Sequence, residues 1–137
     1  MLLEQQACDR YGIRLISTKV LTARRPSPAY KYVEFLDLLA SLEKPFLIHC
    51  KSGADRTGMA AALYLLHCEG ASIEEAQKML SLRFMHLKSG SAGGLDFILH
   101  LYEKDLKALG PIPIRDWFET HYDIDRARQF KKFRQFP

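Results

Sequence analysis

Apolar residues recur at helical spacing through most of the chain. Tyr32, Val33, Phe35, Leu36, Leu39 and Leu42 mark one face of a helix, with Ser27 as its N-cap and Pro28 at its first position. A second helix, dense in Ala, Leu and Met, is predicted over residues 57–69, with Gly70 as its stop. Ser72-Ile73-Glu74-Glu75 is a capping-box pattern and opens a helix reaching to about residue 84. Residues 94–109 repeat the helical period and end at Gly110-Pro111, while 115–122 and 124–136 read as two last helices. An N-terminal helix over 1–11 stops at Gly12, and LKSGSAGG at 87–94 reads as a flexible stretch.

Two segments break the helical pattern. Residues 13–21 (IRLISTKVL) alternate and are rich in branched side chains, so they predict a strand; 46–49 predict a second, short and buried one. A strand–helix–strand order predicts an α/β fold: a parallel sheet flanked by helices, with a helix-rich C-terminal half. Two strands alone make a marginal sheet. The domain is therefore expected to lack its N-terminal strands, by truncation or a late start. The exposed edge of the 13–21 strand is then expected to invite self-association.

Length adds a bound: 137 residues predict a single domain, 1–137, whose residues 111–137 form a helical C-terminal extension with a basic tail. The tail, 126–137, holds five basic residues and no acid, so the rest of the +4 chain sums to −1. A nearly neutral body argues against a nucleic-acid partner. Phe130, Phe133 and Phe136 recur every three residues among the tail's charges. They predict either a helix packed on the domain or a peripheral contact with an anionic membrane surface. No apolar run is long enough to span a bilayer, and Glu4 and Asp9 interrupt any secretory signal, so a cytoplasmic location is expected. Cys8, Cys50 and Cys68 are too few and too scattered for a disulfide framework, and no Cys/His cluster has metal-ligand spacing.

Chemistry concentrates in HCKSGADRTG, residues 49–58, between the second predicted strand and the apolar helix. Cys50 precedes a helix N-terminus, whose unpaired N–H groups and partial positive charge favour a thiolate; Lys51 and Arg56 add to that field. Lowering a thiol from about 8.5 to about 5.5 needs roughly 4 kcal/mol of differential stabilisation. Lys51, Ser52, Gly53, Ala54 and Asp55 form a loop short enough to turn its N–H groups inward as an anion nest, and the planar fork of Arg56 matches two phosphate oxygens. Thr57 can hydrogen-bond the sulfur. A nucleotide-binding loop is excluded because Gly58 is followed by Met59 rather than by Lys and Ser/Thr. The Arg56-Thr57-Gly58 ending and the preceding His49 also argue against a rhodanese-like sulfur carrier.

His49, Cys50, Gly53, Arg56, Thr57 and Gly58 resemble the active-site loop of the cysteine-dependent protein tyrosine and dual-specificity phosphatases. That resemblance implies a phospho-cysteine intermediate on Cys50, phosphate held by the loop amides and Arg56, and neither metal nor cofactor. It gives supporting roles to His49 and Gly58, and gives Thr57 the role of helping the thiolate leave. It implies a phosphomonoester hydrolase acting on phosphorylated protein, phospholipid or small phosphorylated substrates. One departure concerns the general acid. Typical members carry an aspartate on a separate loop, but residues 21–28 (LTARRPSP) hold no carboxylate. Arg24 and Arg25 there are either solvated charges or contacts to a polyanionic substrate. Asp55 is the nearest acid in sequence, and its position is similar to that in myotubularin lipid phosphatases and some bacterial phosphatases acting on protein and phosphoinositide. It is either the general acid or a residue that holds the loop. The competing function is a catalytically impaired phosphate-binding module.

Overall fold

A computed structural model describes residues 2–22, 25–50, 55–81 and 93–130 of the chain. Helix α1 (Leu2–Tyr11) stops where the sequence predicts, with Gly12 at φ 66° and the Ile13 N–H donating to the Cys8 carbonyl at 2.8 Å. None of its residues is buried. Helix α2 (Ala29–Ser41) buries Tyr32, Phe35, Leu36 and Leu39, the face marked by its periodicity.

The start of α2 differs from expectation. Pro28 occupies the cap position and no side chain caps the helix. Ser27 is instead a buried junction. Its hydroxyl donates to the Val20 carbonyl, its N–H donates to the Tyr32 hydroxyl at 3.3 Å, and its carbonyl accepts from the Tyr122 hydroxyl at 2.7 Å. A short polar side chain that finds such partners has no need of a helix end.

Helix α3 (Arg56–Cys68) sits among its neighbours and buries Gly58, Met59, Ala60, Ala62 and Leu63. Gly70, at φ 65°, turns the chain away after it. Helix α4 (Ile73–Gln77) opens with both bonds of the predicted capping box: the Glu75 N–H donates to Ser72 Oγ at 3.2 Å, and the Ser72 N–H to the Glu75 carboxylate at 3.1 Å. It is shorter than its pattern suggests, because the chain turns at Lys78 and Met79 and seats Leu80 in the core; expected helical residues 82–84 lie outside the described set. Helices α5 (Gly93–Leu109), α6 (Ile114–Thr120) and α7 (Ile124–Arg128) follow. The expected flexible stretch at 87–92 also lies outside the described residues, and Gly93 and Gly94 open α5.

The core forms where α2 and α3 pack on each other and on α6, with α4 and α5 closing one side and α7 resting on α5. Tyr32 stacks on Phe118 with centroids 4.5 Å apart, and Trp117 and Tyr122 approach the same ring edge-on. The C-terminal segment thus contributes Trp117 and Phe118, both fully buried, to this core. Buried Asp105 accepts from Trp117 Nε1 at 2.8 Å and from both terminal nitrogens of Arg126 at 3.0 and 3.1 Å. Arg126 of the basic tail is therefore paired, and Phe130 packs against Phe97 with centroids 6.0 Å apart. Phe133 and Phe136 lie outside the described residues.

The expected parallel sheet is overturned. The fold is helical, with no strand among the described residues. Residues 13–21 and 46–49 run without helical bonding and form no strand among the described residues. Their exposure explains why: Ile13 is 58% and Leu47 87% exposed, so neither segment offers the buried apolar face on which a sheet would form. The sheet edge expected to invite self-association is absent with it. No helix among the described residues is long and apolar enough to cross a membrane.

Candidate active site

The segment that delivers Cys50 is fastened to the far end of α3. Lys44 Nζ donates to Glu69 Oε1 at 3.2 Å, the Tyr64 hydroxyl donates to the same oxygen at 2.6 Å, and Phe46 meets the Tyr64 ring edge-on. Ile48 packs at the margin of the core while Leu47 faces out. The segment therefore starts beside the C-terminal half of α3, and the chain re-enters that helix at its N-terminus. His49 and Cys50 end the segment, exposed and half-buried respectively.

Asp55, Arg56, Thr57 and Gly58 open α3. Asp55 stands at the N-cap with helical backbone angles; its carbonyl accepts from the Met59 N–H at 3.0 Å, while its side chain makes no capping bond. Arg56 is the first helical residue, so its guanidinium is carried at the positive end of a 13-residue macrodipole. Lys51, Ser52, Gly53 and Ala54, the predicted nest, lie outside the described residues.

Gly58 has a packing reason that the motif alone does not reveal. A Cβ there would sit 2.7 Å from the Met79 carbonyl oxygen and 3.1 Å from Leu80 Cδ2. The first turn of α3 lies directly against the backbone that follows α4, and only a residue without a side chain permits it. Next to it, Thr57 Oγ1 is buried and has no hydrogen-bond partner among the described residues. A buried hydroxyl left so costs about 1–3 kcal/mol. That hydroxyl has a donor to give at the entrance of α3.

Sequence reasoning missed one partner. His49 Nε2 pairs with Glu4 Oε1 of α1, 45 residues away. The imidazole pKa is raised, first by the hydrogen bond and charge of Glu4 and then by a hydrogen bond with the Cys50 backbone and the charge of Cys50 itself. Cys68, by contrast, has its thiol pKa raised by burial and by Glu69, the direction expected of an unreactive cysteine.

The loop at 21–28 is held at two points. Thr22 donates its hydroxyl to the Arg25 carbonyl, and the Ser27 junction ties the loop's end to α2 and Tyr122. Arg25 is exposed on this separate loop, and Arg24 lies outside the described residues. No cluster of three or more metal-ligating side chains stands among the described residues.

No curated protein and no solved structure matches the chain. A family model described as the tyrosine phosphatase family matches residues 7–75, half of the chain. The match takes in Cys8 through the Cys50-to-Arg56 loop, all of α3 and the capping box of α4. With a cysteine before the loop, an arginine opening the helix and a glycine holding that helix close, the chain belongs to the tyrosine phosphatase family.

Proposed function

We propose that the protein is a phosphomonoester hydrolase working through a phospho-cysteine on Cys50, with phosphorylated protein or phosphoinositide-type molecules as substrates. The observation that carries this reading is the seating of Arg56 and Thr57 in the first turn of α3, six and seven residues after Cys50. That turn offers N–H groups, a positive helix end and a planar fork to one tetrahedral dianion.

In the first step the Cys50 thiolate attacks phosphorus, the P–O ester bond breaks, and the alcohol leaves with a proton supplied by an acid. Asp55 is the carboxyl group for that step; residues 21–28 hold none. In the second step water attacks the phospho-cysteine and gives a proton to the Asp55 carboxylate, the P–S bond breaks, phosphate departs and the thiolate returns. The Thr57 hydroxyl supplies a hydrogen bond to the departing sulfur, which eases P–S cleavage. Throughout, Arg56 and the N–H groups of Lys51, Ser52, Gly53 and Ala54 bind the equatorial oxygens, where charge is spread in the transition state.

Along the sequence the loop combines Lys51 and Arg56 with Asp55, a mixed, mostly cationic composition suited to an anionic substrate. Hydrolysis of an aryl phosphate by the full chain tests the reaction. A panel of phosphotyrosine and phosphothreonine peptides, phosphoinositides and inositol phosphates then tests the substrate class. Phosphate binding without turnover of any of these would make the chain a phosphate-binding module and refute the hydrolase.

A further inference from the structure

We propose that Glu4 is a positioning residue for this reaction: its carboxylate, carried on α1, fixes the His49 imidazole beside the nucleophile. The inference rests on the assignment of Cys50 above. It starts from a puzzle in α1. The helix buries none of its ten residues, and Leu2 and Leu3 are 73% and 81% exposed, so apolar packing does not account for where it lies. What joins it to the site is Glu4, whose Oε1 meets His49 Nε2 across 45 residues of chain.

The pair settles how the ring faces. With Nε2 committed to Glu4, the remaining contact of the imidazole is with the Cys50 backbone. Among the described residues, the charged and titratable groups that act on His49 are Glu4 from α1 and Cys50 from its own segment. A carboxylate partner favours imidazolium, and an imidazolium next to the nucleophile favours thiolate. The pair thus keeps a positive charge beside Cys50 at pH values where an unassisted histidine has lost its proton. The carboxylate's own charge opposes the thiolate, but it acts from beyond the ring that it holds.

The sign of the pH effect follows. Without Glu4, His49 titrates nearer its ordinary value of about 6.5, so at pH 7.5 fewer molecules carry the imidazolium. At pH 5.5 it is charged with or without Glu4. Glu4→Gln should therefore lower kcat/KM by roughly three- to tenfold at pH 7.5 and leave it within about twofold of wild type at pH 5.5. A contact that merely held α1 in place would lower it by the same factor at both.

The experiment measures kcat/KM on an aryl phosphate from pH 5 to 8.5 for the full chain and for Glu4→Gln and Glu4→Asp, with His49 titrated by NMR in each. An exposed ion pair adds little to stability, so the variants fold, as far-UV circular dichroism verifies. The proposal expects the basic limb of the profile and the His49 titration to move together to lower pH in Glu4→Gln, and Glu4→Asp to restore part of both. A loss equal at all pH values, an unmoved limb, or an unmoved His49 titration would overturn it. Wild-type turnover with an unmoved profile defeats only the role of Glu4, whereas absence of wild-type turnover defeats the hydrolase reading on which it rests.

Discussion

Replacing Gly58 by alanine should destabilise the protein, although the position is helical. In an ordinary exposed helix the exchange gains about 1 kcal/mol, because alanine restricts the unfolded chain and suits the helix. Here the new methyl group would lie 2.7 Å from a backbone carbonyl, where ordinary contact begins at 3.4 Å. The obstacle is the Met79 main chain, and beyond it Leu80 is fully buried, so relief requires α3 and the turn after α4 to move apart. Forcing a methyl group into a packed interior costs typically about 1–3 kcal/mol, and against an obstacle of main chain the upper part of that range applies, so after the propensity gain the net loss is up to about 2 kcal/mol. Urea unfolding followed by tryptophan fluorescence and circular dichroism should show a lower midpoint with an unchanged slope. Because Arg56 and Thr57 share the displaced turn, kcat/KM should fall as well, by roughly tenfold or more. A variant more stable than wild type by about the propensity gain would refute the reasoning, since it would mean that the two backbones are not in contact.

Other consequences are equally open to measurement. Arg126→Met should cost about 2 kcal/mol, because it strips two charged hydrogen bonds from buried Asp105; thermal and urea unfolding would read it, and a change below about 0.5 kcal/mol would show the pair to be inert. The Asp105 carboxyl is held below its ordinary value, first by Arg126. Its contribution is therefore complete above the unfolded value of about 3.9 and is lost as pH falls through the folded one, so Arg126→Met should flatten the acid limb of the stability profile. Arg56→Lys should lower kcat/KM by at least about a hundredfold, since a point charge does not reproduce the fork. Asp55→Asn, assayed on aryl phosphates with poor and good leaving groups, should lose about a hundredfold or more on the poor one and little on the good one. Equal losses would remove Asp55 from the role of acid.

Most of the helices were legible in the sequence because their signals are local. Gly12, Gly70 and Gly110 stop α1, α3 and α5 at positive φ, and Ser72 with Glu75 makes its box within one turn. The strands were not legible, because strand formation depends on a partner that the alternating pattern does not name. Residues 13–21 carry the branched, alternating composition of a strand, yet Ile13 and Ile16 face outward and the segment forms no strand among the described residues. The core instead comes from α2, α3, α5 and α6, which bury their own aromatic and aliphatic side chains. Ser27 misled for a related reason: an N-cap residue and a buried junction look alike until Val20, Tyr32 and Tyr122 are brought round it. At the site, Cys50, Arg56 and Thr57 stood out through their spacing and the family resemblance it carries. The reason for Gly58 required the turn at Met79, and Glu4 required a contact spanning 45 residues, so neither was visible along the chain.

The central claim is that Cys50 carries the phosphoryl group between the two steps. Its most direct test mixes the full chain with an aryl phosphate, quenches in acid within the first turnover, and locates phosphate on the digested protein by mass spectrometry. The account predicts one phosphoryl group on the peptide containing Cys50, and none on that peptide in Cys50→Ser, which also loses turnover. Turnover by Cys50→Ser at wild-type rates, or a phosphoryl group trapped on another residue, would contradict it.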